Sequence, residues 1–154
     1  MNLKPENLAE IRRDFHRFPE LGFKEKRTKD KIASYLNELG LDVHYGVGIV
    51  GVLRAGEGSK VIGLRADMDA LPIHETTSHE YISENVGVMH ACGHDGHMAM
   101  LLGAAYKLST NANFSGTIVF IFQPNEELGL GAKAMMEEGL LENFPIQEIY
   151  GIHN

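Results

Sequence analysis

The octapeptide His90-Ala91-Cys92-Gly93-His94-Asp95-Gly96-His97 places three imidazoles, a thiol and a carboxylate within eight positions. Imidazole and thiolate are preferred ligands of zinc and similar divalent ions, and carboxylates widen the choice to manganese, cobalt or nickel. Gly93 and Gly96 let the backbone fold tightly, so that several side chains can converge on one ion. A helix starting here would set its positive N-terminal end beneath a thiolate. Two other readings stand beside metal binding: a polar turn with a buried structural cysteine and a capping Asp95, and a nucleophilic Cys92–histidine dyad. A closed structural zinc cage is disfavoured, because the chain has one cysteine and no second closely spaced Cys/His pair.

Glu126-Glu127 is a second centre. Adjacent side chains of an extended segment point in opposite directions, so one carboxylate could bind an ion while its neighbour faces substrate as a general base. Out of context the pair would be two solvated loop glutamates, but it directly follows the apolar run Thr117 to Phe122 and Pro124. Asp67 and Asp69 lie two apart after another apolar run and can face one side, where a carboxylate can accept the second ring N–H of a metal-bound histidine. Turn-forming aspartates ahead of Pro72 are the plainer alternative. His153 means little alone, and His16, His44, His74 and His79 read as surface or packing residues.

These groups need a scaffold. Leu8, Ile11, Phe15 and Phe18 form one face of a helix beginning near Pro5, and Ile32, Tyr35, Leu36 and Leu39 a second over Thr28–Leu39, with Gly40 at its C-terminal cap. Strands are expected over Leu41–Tyr45, Ile49–Arg54, Val61–Ala66, Thr117–Phe122 and Glu148–Ile152. Helices are expected over His97–Leu108 and Ala132–Glu138, and residues 74–90 read as irregular. Alternating strands and helices imply a three-layer α/β/α domain. On this scheme the Asp67, Glu126 and His153 motifs each follow a strand, where ligand sites in open α/β sheets gather.

The composition narrows the partners. With 154 residues the chain suffices for one domain, and 14 Lys+Arg against 21 Asp+Glu, a net charge of −7, argue against nucleic acid or an anionic membrane as partner. No apolar run approaches the roughly 18 residues of a spanning helix, and the polar N-terminus lacks a secretory h-region. One cysteine fits a reducing compartment, and a cytoplasmic domain is the expectation.

Taken together, the motifs resemble the M20 family of metal-dependent amidohydrolases and peptidases, in particular its N-acyl-amino-acid and hippurate-type branch. The resemblance rests on Ile11-Arg12-Arg13-Asp14-Phe15-His16 with Pro19-Glu20-Leu21-Gly22-Phe23, and on Leu64-Arg65-Ala66-Asp67-Met68-Asp69-Ala70-Leu71-Pro72. Met89 to Met98, Phe122 to Glu127 and Gly131-Ala132-Lys133-Ala134-Met135 complete it. It implies a three-layer metallo-exopeptidase-like catalytic domain and two divalent ions (manganese, zinc, cobalt or nickel). It matches Cys92, His94, Glu127 and His153 to metal ligands, Glu126 to the general base and Asp69 to a supporting catalytic aspartate. Asn125 and Leu128 depart from the family's frequent Ala and Gly without removing a functional side chain. The implied reaction is hydrolysis of an N-acyl amino acid to an acid and a free amino acid. A dipeptidase or carboxypeptidase of the same family, or a non-catalytic metal-binding module, stays open.

Family chains are more than twice this long. Residues 1–154 are therefore expected to be the N-terminal part of the catalytic domain, without the lid or dimerisation domain, the rest of the sheet and one further histidine ligand. A homo-oligomer is implied at full length.

Overall fold

The computed structural model describes residues 3–154. A 3-10 turn, Pro5–Asn7, leads into α1 (Leu8–Arg17), which buries Ile11, Phe15 and His16. Phe18 ends the stripe under the Arg27 guanidinium, 4.2 Å above its ring. In α2 (Lys26–Glu38), the Glu20 carboxylate accepts the N–H groups of Arg27 and Thr28 at 3.1 and 2.8 Å, supplying acceptors the first turn lacks. Gly40, at φ +75°, turns the chain away after Leu39.

Five strands follow: β1 (Asp42–Tyr45), β2 (Ile49–Ala55), β3 (Val61–Asp67), β4 (Gly116–Gln123) and β5 (Glu148–Gly151), in the spatial order β1-β2-β4-β3-β5. β1 and β2 pair antiparallel, as do β2 and β4, whereas β3 runs parallel to both β4 and β5. The apolar run in β4 is explained by burial on both faces. Ile118, Phe120 and Phe122 join the core under α1, α2 and α3 (His94–Thr110); Val119 and Ile121 join Met135 of α4 (Gly131–Glu137) and Leu140 of α5 (Leu140–Asn143) on the opposite face. Full burial of Phe120 and Phe122 contributes about 2–3 kcal/mol each. The three layers expected from the sequence are present, with the α4–α5 layer the thinner. All four β5 residues are exposed.

Two elements differ from the sequence expectation. α3 begins at His94 rather than His97, because Gly93 adopts a left-handed φ of +79° and its carbonyl accepts the N–H groups of Gly96 and His97. His94 and Asp95 therefore sit in a rigid first turn. The short α5 lies beyond the expected elements: Gly139, which follows the helix expected over Ala132–Glu138, caps the start of α5 at φ +89°. Residues 74–90 are irregular as expected, and Leu71 and Met89 exchange backbone hydrogen bonds of 3.0 Å that close the segment into a loop.

Candidate metal centre

β3, β4 and β5 are parallel and end at Asp67, Gln123 and Gly151, so the segments after them leave one edge of the sheet together, beside the start of α3. This brings together Asp67, Asp69, Glu126, Glu127 and His153 with Cys92 and His94. Donor atoms of Asp67, His94, Glu126 and His153 lie within 4.8 Å of one another, as do those of Cys92, His94 and Glu127.

His94 is the hub. Its Nδ1–H donates to the Asp69 carbonyl at 2.8 Å and lies 3.4 Å from the Asp69 carboxylate. That fixes the ring and turns Nε2 toward Asp67 Oδ2 at 3.7 Å, Glu127 Oε1 at 3.7 Å and Glu126 Oε2 at 3.8 Å. These separations are too long for hydrogen bonds, and both His94 Nε2 and Glu127 Oε1 are buried without a hydrogen-bond partner among the described residues. Two donors at about 2.1 Å from a common ion would span a comparable gap. Burial alone would lower the His94 pKa, but the Asp69 hydrogen bond and the charges of Asp67, Asp69 and Glu127 hold it above its ordinary value. The pocket thus attracts positive charge.

Asp69 is buried beside His94 and the glutamate pair. Burial favours its neutral form, yet the hydrogen bond with His94 and the backbone N–H groups of Glu126 and Glu127 outweigh this and keep its pKa low. Its Oδ2 accepts the Glu127 N–H at 3.1 Å, so one residue orients His94 through its backbone carbonyl and the paired glutamates through its carboxylate. Cys92 is half-buried, and its thiol is pushed up to about 11 by the Glu127 carboxylate first, then by burial and the charges of Glu126 and Asp67. A thiol nucleophile needs the opposite shift, which removes support from the cysteine–histidine dyad. His153 is half-exposed, with Nε2 3.8 Å from Asp67 Oδ2. Glu126 is the more exposed member of its pair, at 32% against 19% for Glu127.

Asp67 is fully buried and lies closer to the centre than a turn-forming aspartate would. One oxygen binds His97 Nδ1 at 2.6 Å and the other accepts Arg65 at 2.7 Å, while facing His94 and His153. Its two-residue offset from Asp69 was the available signal, but nothing local could say which aspartate faced which histidine. His97 stands behind Asp67, and its Nε2 accepts the Asn154 N–H at 3.1 Å. His90, part of the original cluster, joins neither donor group; it is buried, with its pKa lowered to about 4 by desolvation.

The expectation that His16 is an ordinary surface or packing residue is corrected. It is 5% exposed, with Nδ1 2.8 Å from Asp95 and Nε2 3.1 Å from Glu75, and Arg12 also donates to Asp95 at 2.9 Å. α1, the first turn of α3 and the 74–90 loop are thereby clamped behind the centre. The hydrogen bond with Asp95 chiefly, then that with Glu75, raises the His16 pKa against burial. Its contribution to stability is fully present below its unfolded pKa of about 6.5 and is lost as pH rises through the raised folded value. Thermal unfolding followed across that range should show the loss in the parent and not in His16→Gln. His16→Ala should cost about 3 kcal/mol, since it strips a partner from two buried carboxylates. A flat pH profile in the parent would show that His16 carries no charge there.

The Peptidase family M20/M25/M40 model matches residues 63–154, more than half of the chain. The chain belongs to this family. Among its M20 relatives, the hippurate hydrolase of Campylobacter jejuni is 48% identical over 163 residues, covering 100% of this chain and 42% of that protein. Thermostable carboxypeptidase 1 of Saccharolobus solfataricus is 48% identical over 153 residues, covering 95% of this chain and 38% of that protein. The Bacillus subtilis YXEP protein, a dinuclear metal-binding peptidase of the M20 family, superposes with a TM-score of 0.91 at 40% identity over 97% of this chain and 42% of that one. This M20 chain thus spans about two fifths of the length of these relatives.

Proposed function

We propose that this chain is the N-terminal part of the catalytic domain of a metal-dependent hydrolase, which cleaves the amide bond of N-acyl amino acids of the hippurate or N-acetyl type. The observation that carries the reading is the convergence of His94 Nε2 on three carboxylates at 3.7–3.8 Å, with Cys92 and His153 closing the two donor groups. The unpartnered, buried His94 Nε2 and Glu127 Oε1 suit a divalent pair of ions, with manganese, zinc, cobalt or nickel compatible with the mixed nitrogen, sulfur and oxygen donors. Cys92, His94, Glu127 and His153 would hold them, and Asp67 stands close enough to join. When bound, such ions polarise water and the scissile carbonyl and offset charge on the oxyanion.

The chain's own residues do the rest. Glu126, the more exposed carboxylate, takes a proton from the attacking water and returns it to the leaving amine. Asp69 keeps the His94 ring and the Glu127 backbone in place throughout. An open cleft of about 480 Å³ beside Cys92, walled by Arg12, Tyr81, Met89 and His90, offers room for part of the substrate. No helix among the described residues is long and apolar enough to cross a membrane, and a cytoplasmic enzyme, homo-oligomeric at full length, completes the proposal.

The carboxypeptidase relative keeps a peptide-cleaving reading in play. Hydrolysis of N-benzoyl and N-acetyl amino acids against dipeptides by the full-length gene product separates the two; faster turnover of dipeptides would overturn the N-acyl assignment. A second test concerns Cys92. As a ligand its sulfur is shielded, so iodoacetamide labelling should slow markedly with metal and recover on chelation. Equal labelling rates in both states would exclude it from the ligand set.

A further inference from the structure

Behind the paired glutamates lies a contact that neither the proposed ligands nor the proposed base account for. Glu25, from the loop ahead of α2, is 2% exposed, and its Oε1 accepts the backbone N–H of Asn125 at 2.9 Å, across 100 residues of sequence. Asn125 is 1% exposed and holds a left-handed φ of +44°, which an asparagine tolerates better than most residues. Its carbonyl accepts the N–H groups of Leu130 at 3.3 Å and Gly131 at 3.1 Å, closing the loop that carries Glu126 and Glu127. Two glycines let this loop close. A Cβ on Gly22 would stand 2.2 Å from Asn125 Oδ1, and one on Gly131 would stand 1.5 Å from the Pro124 carbonyl oxygen.

The glutamate pair is thus pinned at both ends by buried carboxyl groups: Asp69 at the Glu127 N–H and Glu25 at the Asn125 N–H. Asp69 also hydrogen-bonds His94, whereas the Glu25 side-chain hydrogen bond runs to the Asn125 backbone. Resting on the dinuclear reading above, we propose that Glu25 is a positioning residue, whose acceptor oxygen on the Asn125 N–H sets the strained turn that aims Glu126 at water and Glu127 at metal. Burial, reinforced by the nearby charge of Asp69, favours the neutral carboxyl form. The observed contact asks of Glu25 an acceptor oxygen, which a carboxylate, a carboxylic acid or an amide can each supply.

This separates three variants of the full-length gene product, measured for metal content, for the cobalt(II) absorption spectrum and for turnover of N-benzoyl amino acids. Glu25→Gln retains the acceptor and should match the parent in all three. Glu25→Met fills the same space without an effective acceptor, and should weaken metal affinity and turnover by roughly 10–100-fold, with an altered cobalt spectrum. If Glu25→Met does not fold, Glu25→Asp is read in its place, since its shorter side chain withdraws the acceptor and keeps the carboxylate; the same loss is expected. Parent-like behaviour of the variant read, or a loss in Glu25→Gln as large as in that variant, overturns the inference. A parent protein that takes up no metal overturns the dinuclear reading itself, and this inference with it.

Discussion

Glu126→Gln should reduce turnover by about 10²–10⁴-fold while leaving metal content near that of the parent, because the change removes a proton acceptor and keeps the shape of the side chain. Glu127→Gln should lose metal as well as activity. The reason lies in where the two carboxylates stand. Glu127 Oε1 is buried without a hydrogen-bond partner among the described residues, 3.7 Å from His94 Nε2, and belongs to the donor group with Cys92. Glu126 is the more exposed of the pair and belongs to the donor group with Asp67, His94 and His153. Metal analysis of the purified variants beside their steady-state rates checks both. Metal loss in Glu126→Gln with retention in Glu127→Gln would mean that the roles are exchanged, which adjacent positions in one loop permit.

The second expectation is that residues 1–154, prepared alone, hydrolyse neither N-acetyl nor N-benzoyl amino acids at a substantial rate and self-associate. His153 is half-exposed, two residues after β5, which has no neighbouring strand on its outer edge among the described residues. Ile149, Tyr150 and Ile152 are 50%, 55% and 69% exposed, and Tyr150 and Ile152 with Leu64, Met100, Leu101 and Ala104 frame an open, mainly apolar groove of about 400 Å³ beside α3. A bare strand edge and an apolar surface of this kind favour association with another copy. Hydrolysis assays with added manganese or zinc, run beside the full-length gene product and paired with light scattering, test this. Substantial turnover by a monodisperse 154-residue protein would defeat it.

How much of this could be read from sequence depended on distance along the chain. The Cys92–His94 spacing, the Glu126-Glu127 pair and their places after strands are local patterns, and the fold brings them together where the strand ends predict. The start of α3 was misplaced by three residues because His94-Asp95-Gly96 reads as a turn until Gly93 is seen in its left-handed conformation. His16 was misread for a different reason. Its partners Asp95 and Glu75 lie 79 and 59 positions away, and Glu75 sits in a segment with no periodicity to announce it. Glu25 is the extreme case: only the packing of the Pro19–Phe23 loop against Asn125 reveals it. Local chemistry declares the groups that react, while the groups that hold them are chosen by tertiary closure.

The parallel pairing of β3 with β4 and β5 has a bearing on the order of assembly. Asp67, His94, Glu126 and His153 arrive from four separate elements, and no two of them are neighbours in sequence. An unfolded chain holds no preformed chelate here, and long loops must close before the donors meet. On the proposed reading, a captured ion would act as a latch on the finished sheet, and its binding free energy would be shared by the whole cooperative unit rather than by one loop.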